Sequence, residues 1–299
     1  MIKYILITLL ILLVSCEDPI PFEYIPENVL QAYLIVGNPI DDVLLYKSQA
    51  INSTFNLEDA IIKDAKIKIK YSEFDTTKFE FVFKEEFDLK YSGNSTLKYK
   101  SSNGHIVQKL SQYDIEIILS DESKITATTI TPDSLTWENK LGSIIQYPID
   151  SINYSTSEDF LAWKPNSEYT TIQTNGFYHL QVRSLDTAEY GIYLDPADPS
   201  KMNRRIERDF REDWSYNEIS SNAYIPTTST PVVWNTFKWY GLHEITIYSM
   251  DFNWSKTLLQ QLASSSYDPL LNAVEGNGIG TFASACAIRD TFFLLKNQE

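Results

Sequence analysis

The seven residues from Ala65 to Tyr71 read AKIKIKY, and few conformations suit them. Lys66, Lys68 and Lys70 alternate strictly with Ile67, Ile69 and Tyr71. A helix, at about 3.6 residues per turn, would scatter the lysines around its circumference, whereas a strand, with a period of about two, puts them all on one face. The segment is therefore predicted as a strand with one wet and one dry face, which needs partner strands and a core to cover. Short runs on either side meet that need: Val29 to Val36 (VLQAYLIV), Val43 to Tyr46, Phe79 to Phe83 (FEFVF), Thr96 to Tyr99, Tyr113 to Leu119 (YDIEIIL) and Lys124 to Ile130 (KITATTI). Turn residues separate them at Gly37-Asn38-Pro39, Gly93-Asn94 and Pro132. Strands at this spacing with little helix between them predict a mainly β chain whose residues 29–132 form an immunoglobulin-like β-sandwich.

Residues 133–155 fade into Ser, Thr, Asn, Asp and Pro and are expected as a linker or edge region. A second β-rich domain, 156–299, is expected to follow, with strands at Phe160 to Trp163, Gly176 to Arg183, Trp239 to Tyr248 and Thr291 to Leu295. One or two short helices interrupt it. In Lys201 to Trp214, the residues Met202, Ile206, Phe210 and Trp214 recur every four positions and form one apolar helical stripe. The arginines at 204, 205, 208 and 211 interleave with Glu207, Asp209, Glu212 and Asp213, which favours a solvated amphipathic helix over an anion site. Met250 to Leu262 is predicted as a second helix, with Asp251 as its N-cap and Leu258, Leu259 and Leu262 facing inward. The glycines at 276, 278 and 280 superficially suggest a nucleotide loop, but no helix pattern follows them. A glycine-rich β-turn or bulge is the expectation there.

The N-terminus reads differently. Lys3 precedes an apolar run from Ile5 to Val14, broken only by Thr8 and ending Leu13-Val14-Ser15-Cys16. The run is shorter than the about 20 apolar residues a spanning helix needs, but it fits the apolar region of a secretory signal peptide. The last four residues resemble the bacterial lipobox. That resemblance implies cleavage after Ser15, acylation of Cys16, and a membrane anchor of two or three acyl chains, enough for stable attachment. Residues 16–28 then form a tether stiffened by Pro19, Pro21 and Pro26. Removing the first 15 of 299 residues leaves 284, and losing Lys3 takes the net charge from −15 to −16. Such an acidic chain is a poor partner for nucleic acid or anionic lipid. With Cys16 acylated, Cys286 has no cysteine left to pair with.

No motif calls for catalysis or a cofactor. His105, His179 and His243 lack the i, i+4 partner or nearby cysteines of a metal site, and no Gly-x-Ser-x-Gly elbow occurs. The 40 acidic residues single out no pair for glycoside hydrolysis. Aromatic residues are the one positive hint. Trp234, Trp239 and Tyr240 cluster near a predicted strand start, and Trp214 ends the charged helix, so these four are the candidate binding residues.

Several segments together carry a wider resemblance: Cys16 to Pro21, the early strand leading into Gly-Asn-Pro, AKIKIKY, the block YDIEIILSDESKITATTITPDSL at 113–135, and EGNGIGTFASA at 275–285. In these the chain resembles a family of Bacteroidetes outer-membrane lipoproteins of unknown function. Members of that family are often encoded beside TonB-dependent (SusC-like) receptors. In the last block this chain has Ala283, Ser284 and Cys286 where more glycine and an aromatic are usual. The resemblance implies a non-enzymatic protein anchored by its N-terminal lipid in the outer membrane, exposed at the cell surface, and accessory to such a receptor in nutrient capture or uptake. A structural or adhesive subunit of a surface assembly is the alternative, and a surface hydrolase a weaker one.

Overall fold

The alternation at 66–71 becomes strand β3 (Lys66–Asp75), with its lysines in water and Ile67, Ile69 and Tyr71 buried. The computed structural model describes residues 24–50, 53–54, 56–93, 97–146, 160–166, 178–185, 214–215, 227–232, 241–262 and 269–295. Before β3 come β1 (Asn28–Ile35), β2 (Val43–Lys47) and a one-turn helix, Leu57–Ala60, capped by the Asn56 side chain. After it, β4 (Glu80–Ser92) returns antiparallel across a turn in which Asp75 Oδ1 accepts from the backbone N–H groups of Thr77 and Lys78. Next are β5 (Lys98–Ser101), β6 (Ser111–Ile118) and β7 (Lys124–Ile130).

The second half contributes β8 (Leu135–Asn139), β9 (Ile144–Gln146), β10 (Phe160–Pro165), β11 (Tyr178–Ser184), β12 (Trp214–Ser215), β13 (Ser229–Pro231) and β14 (Gly241–Met250). A helix follows at Phe252–Leu262, then β15 (Glu275–Gly276) and the long β16 (Ile279–Leu295). Thirteen of these strands form one sheet, ordered β12-β11-β14-β16-β1-β2-β5-β4-β3-β6-β7-β15, with β9 added to β16. The other three form a small sheet, β13-β10-β8. The mainly β class expected from the sequence is what the molecule has.

Both walls of the sandwich-like first core belong to one sheet that curls over itself. Leu30, Val43, Ile67, Leu89, Tyr113, Ile125 and Phe282 come from seven of its strands and bury into a single cluster. Each such side chain contributes about 1.5–3 kcal/mol. The curl is sealed where β15 pairs with β7 and, after a tight turn, β16 pairs with β1. That seam explains the glycines. A Cβ on Gly276 would lie 2.3 Å from Lys124 O, and one on Gly280 would lie 2.0 Å from Leu30 O, so only backbone without a side chain closes the gap.

β16 joins the two halves. Its first residues run parallel to β1, through Ala285 opposite Ile35, and the rest run antiparallel to β14. Phe282 lies in the first core, whereas Phe292 and Leu294 lie in a second, with Trp163, Tyr178 and Ile247. Trp163 meets the rings of Tyr178 and Trp137 edge to face, at 5.3 and 6.5 Å. Residues 135–146, expected within a linker or edge region, form β8, β9 and the connection between them, and put Leu135, Leu141 and Ile145 into this second core. The packing therefore divides near residue 133, but the hydrogen-bonded sheet does not.

The two helix expectations fare differently. Residues 201–213 lie outside the described residues, and Trp214, expected at the end of their stripe, pairs in β12 opposite Val182. At Phe252–Leu262 the helix and its Asp251 cap are present, Trp254 N–H donating to Asp251 Oδ1 at 2.9 Å, but Leu259 is 41% exposed while Leu258 is buried.

Candidate functional site

Of the residues singled out in the sequence, Cys16, Trp234, Trp239 and Tyr240 lie outside the described residues. Trp214 is described only in its backbone, on β12 at one end of the large sheet. The described residues therefore bring none of these together.

The histidines are structural in setting. His105, in the loop between β5 and β6, sets Nδ1 2.6 Å from Glu85 Oε1 and Nε2 2.9 Å from Tyr113 Oη. Tyr113 Oη also accepts from Gln108 N–H at 2.8 Å, so Gln108, Tyr113, His105 and Glu85 form one hydrogen-bonded chain. Phe87 stacks on the imidazole at 4.8 Å and Tyr71 tilts against it at 4.9 Å. Tyr113 is fully buried, and burial pushes its hydroxyl pKa up, so the phenol stays protonated and out of a substrate's reach. This Glu–His–Tyr chain latches the loop over the core. His179 is buried beside the Tyr248 ring, and desolvation pushes its pKa down to about 4. His243 is buried against Phe292. Among the described residues no three His, Cys, Asp or Glu side chains are grouped to hold a metal ion.

A more open feature forms where β3 begins. Ile67 stands opposite Leu89, so β4 continues past the start of β3 with Lys90 and Tyr91, and β5 covers that extension through the Tyr91–Tyr99 pair. The chain entering β3 is pinned there, because Tyr99 Oη donates to Ile62 O at 2.9 Å and accepts from Ala65 N–H at 3.2 Å. Burial pushes the Tyr99 hydroxyl up to about 12, so it stays a donor. A cleft of about 560 Å³ results, within the about 300–1,000 Å³ usual for small-molecule sites. Lys63, Lys66, Lys68 and Lys90 line it with Asp88, Glu116 and the rings of Tyr91 and Tyr99. Sequence reading missed it because it depends on the offset of β3 against β4, which no local pattern encodes.

The other notable surface is the β3–β4 hairpin tip. Phe79 and Phe83 are 66% and 60% exposed, and the rings of Phe74 and Phe81 meet at 5.2 Å. Asn28 donates to Asn277 O, Asn277 N–H donates to Lys124 O, and Lys124 stands opposite Ile118, which stands opposite Lys66. The N-terminal strand thus enters at the Lys66 end of β3, and the aromatic hairpin lies at the other.

No protein-family model matches this sequence, and no curated protein matches it.

Proposed function

We propose that this chain is a lipid-anchored outer-membrane protein that performs no chemistry and serves a TonB-dependent receptor in nutrient capture or uptake. The observation that carries the proposal is the Leu13-Val14-Ser15-Cys16 sequence followed by a proline-stiffened tether. From Cys16 to Asn28 is 28 − 16 = 12 residues, a reach of at most about 40 Å, so the folded part stays close to the membrane that holds the lipid. Strand β1 enters at the Lys66 end of the first unit, so a protein tethered there holds the Phe79 hairpin away from the lipid. That arrangement supports contact with a protein partner. The hydrogen-bonded setting of His105 and the buried setting of His179 against the Tyr248 ring support a non-enzymatic role.

The experiment is purification of the tagged, lipidated protein from membranes in mild detergent, with partners identified by mass spectrometry. A TonB-dependent barrel at near-equal amount is the expected result. Recovery without any receptor, from cells that express one, counts against the proposal. The exposed aromatic hairpin also favours a second reading, a structural or adhesive subunit of a surface assembly. In that case a deletion strain keeps wild-type nutrient uptake but changes its attachment, and Phe79→Ser with Phe83→Ser reproduces the change.

A further inference from the structure

We infer that the cleft at the start of β3 binds an organic anion with a flat or apolar body, its charge held by Lys63, Lys66 and Lys90 and its body lying against Tyr91 and Ile118. The inference does not depend on the receptor reading, since strands β3 to β6 and the segment entering β3 build the whole cleft.

The first ground is charge. In a chain of net charge −15 most of the neighbouring lysines are matched: Lys68 and Lys70 on Glu86 at 2.9 and 3.9 Å, Lys124 on Glu116 at 2.6 Å, and Lys98 on Asp42 at 2.6 Å; Lys100, opposite Lys90, has no ion pair among the described residues. Among the described residues Lys63, Lys66 and Lys90 have no such partner, and all three line this cleft. Of the acids there, Glu116 is engaged by Lys124, which leaves Asp88 as the one carboxylate without an ion pair among the described residues. Three unmatched ammonium groups against one carboxylate make a locally cationic site, and ammonium donors suit carboxylate, sulfate or phosphate oxygens.

The second ground is the wall. Tyr91 and Tyr99 meet edge to face at 5.4 Å, and the Tyr91 hydroxyl is shut off from solvent with no hydrogen-bond partner among the described residues. A buried polar atom left unpaired is unfavourable, and a small shift of the ring that brings this hydroxyl to an anionic oxygen in the cleft relieves that cost. Ala65 and Ile118, the latter 38% exposed, add apolar surface, which a bare inorganic ion would not use.

Pyridoxal 5′-phosphate, a flat anion that forms a reducible imine with lysine, tests this on the full-length protein in washed membranes. The expected result after borohydride reduction and peptide mass spectrometry is modification of Lys63, Lys66 or Lys90 at about tenfold lower reagent than Lys140 or Lys164, which are as open to solvent as most lysines here. Naphthalene-1-sulfonate protects the cleft lysines, sodium sulfate at equal concentration does not, and Tyr91→Phe weakens the protection. Labelling that follows exposure alone overturns the inference. Equal protection by inorganic sulfate overturns it too, because the aromatic wall would then play no part, and protection only by anionic lipid vesicles assigns the lysines to a headgroup instead. The wild-type comparison decides by itself, so a poorly folding variant leaves the test intact.

Discussion

Asp251 sits where β14 hands over to the helix Phe252–Leu262, and its carboxylate takes hydrogen bonds from Thr129 Oγ1 at 2.5 Å and Trp254 N–H at 2.9 Å. Thr129 Oγ1 is also 2.7 Å from Ser284 Oγ, and Asp251 N–H donates to Ser284 O, so one buried side chain ties β7, β16 and the helix together. Its role as a helix cap was legible in the sequence, because Asp directly before a helical pattern is a local signal. Its role as a tie was not, because Thr129 lies 122 residues away. Desolvation outweighs these hydrogen bonds and pushes its pKa up from 3.8 to about 6. A folded pKa above the unfolded one means that the folded state holds the proton more tightly. This contribution is full below about pH 4 and is lost as pH rises through 6, a swing of about 3 kcal/mol. His179, with its pKa lowered to about 4, works the other way: its contribution is lost as pH falls below about 6.5. Asp251→Asn keeps the cap and removes only the charge. It should therefore be more stable than wild type at pH 7.5 and lose that advantage by pH 4.5, as read from thermal melts. Parallel pH profiles for the two proteins would contradict this.

At the scale of elements, β16 explains both what sequence patterns reveal and what they hide. Strands with one wet face, such as β3 and β7, alternate and are easy to find. Thr281 to Cys286 are all buried, so the middle of β16 shows no alternation and reads as a small-residue stretch between a glycine turn and a short strand. The glycine-rich expectation at 276–280 was sound as a turn, but its purpose is the seam. Gly280→Ala puts a Cβ against Leu30 O at a positive φ of 125°, with backbone that has no room to yield. A loss of about 3 kcal/mol or more, or failure to fold, is expected. Gly37→Ala, at φ 86° with nothing within 4 Å, should cost only about 1 kcal/mol. Denaturant midpoints for the pair check this, and equal losses would mean that left-handed strain rather than close approach governs the seam.

At the scale of the molecule, the two cores share one strand and one hydrogen-bonded sheet, so they should unfold together. Phe282→Ala opens a cavity only in the first core, where it should cost about 3–5 kcal/mol. Loss of the buried Trp163 environment in the second core should move to lower temperature with it, in a single transition followed by tryptophan fluorescence. An unmoved second transition would show two independent units. The mainly β architecture was legible because local periodicity reports it, whereas the cleft beside Lys66 and the Asp251 tie depend on strand register and on partners far apart in sequence. The functional account rests above all on the N-terminus, and intact-mass spectrometry of the protein extracted from its own membranes tests it most directly. The account predicts a chain that begins at Cys16, lacks residues 1–15 and carries the mass of two or three acyl chains, with Cys16→Ala left unprocessed and unacylated. A mature chain that begins elsewhere or carries no lipid would contradict it.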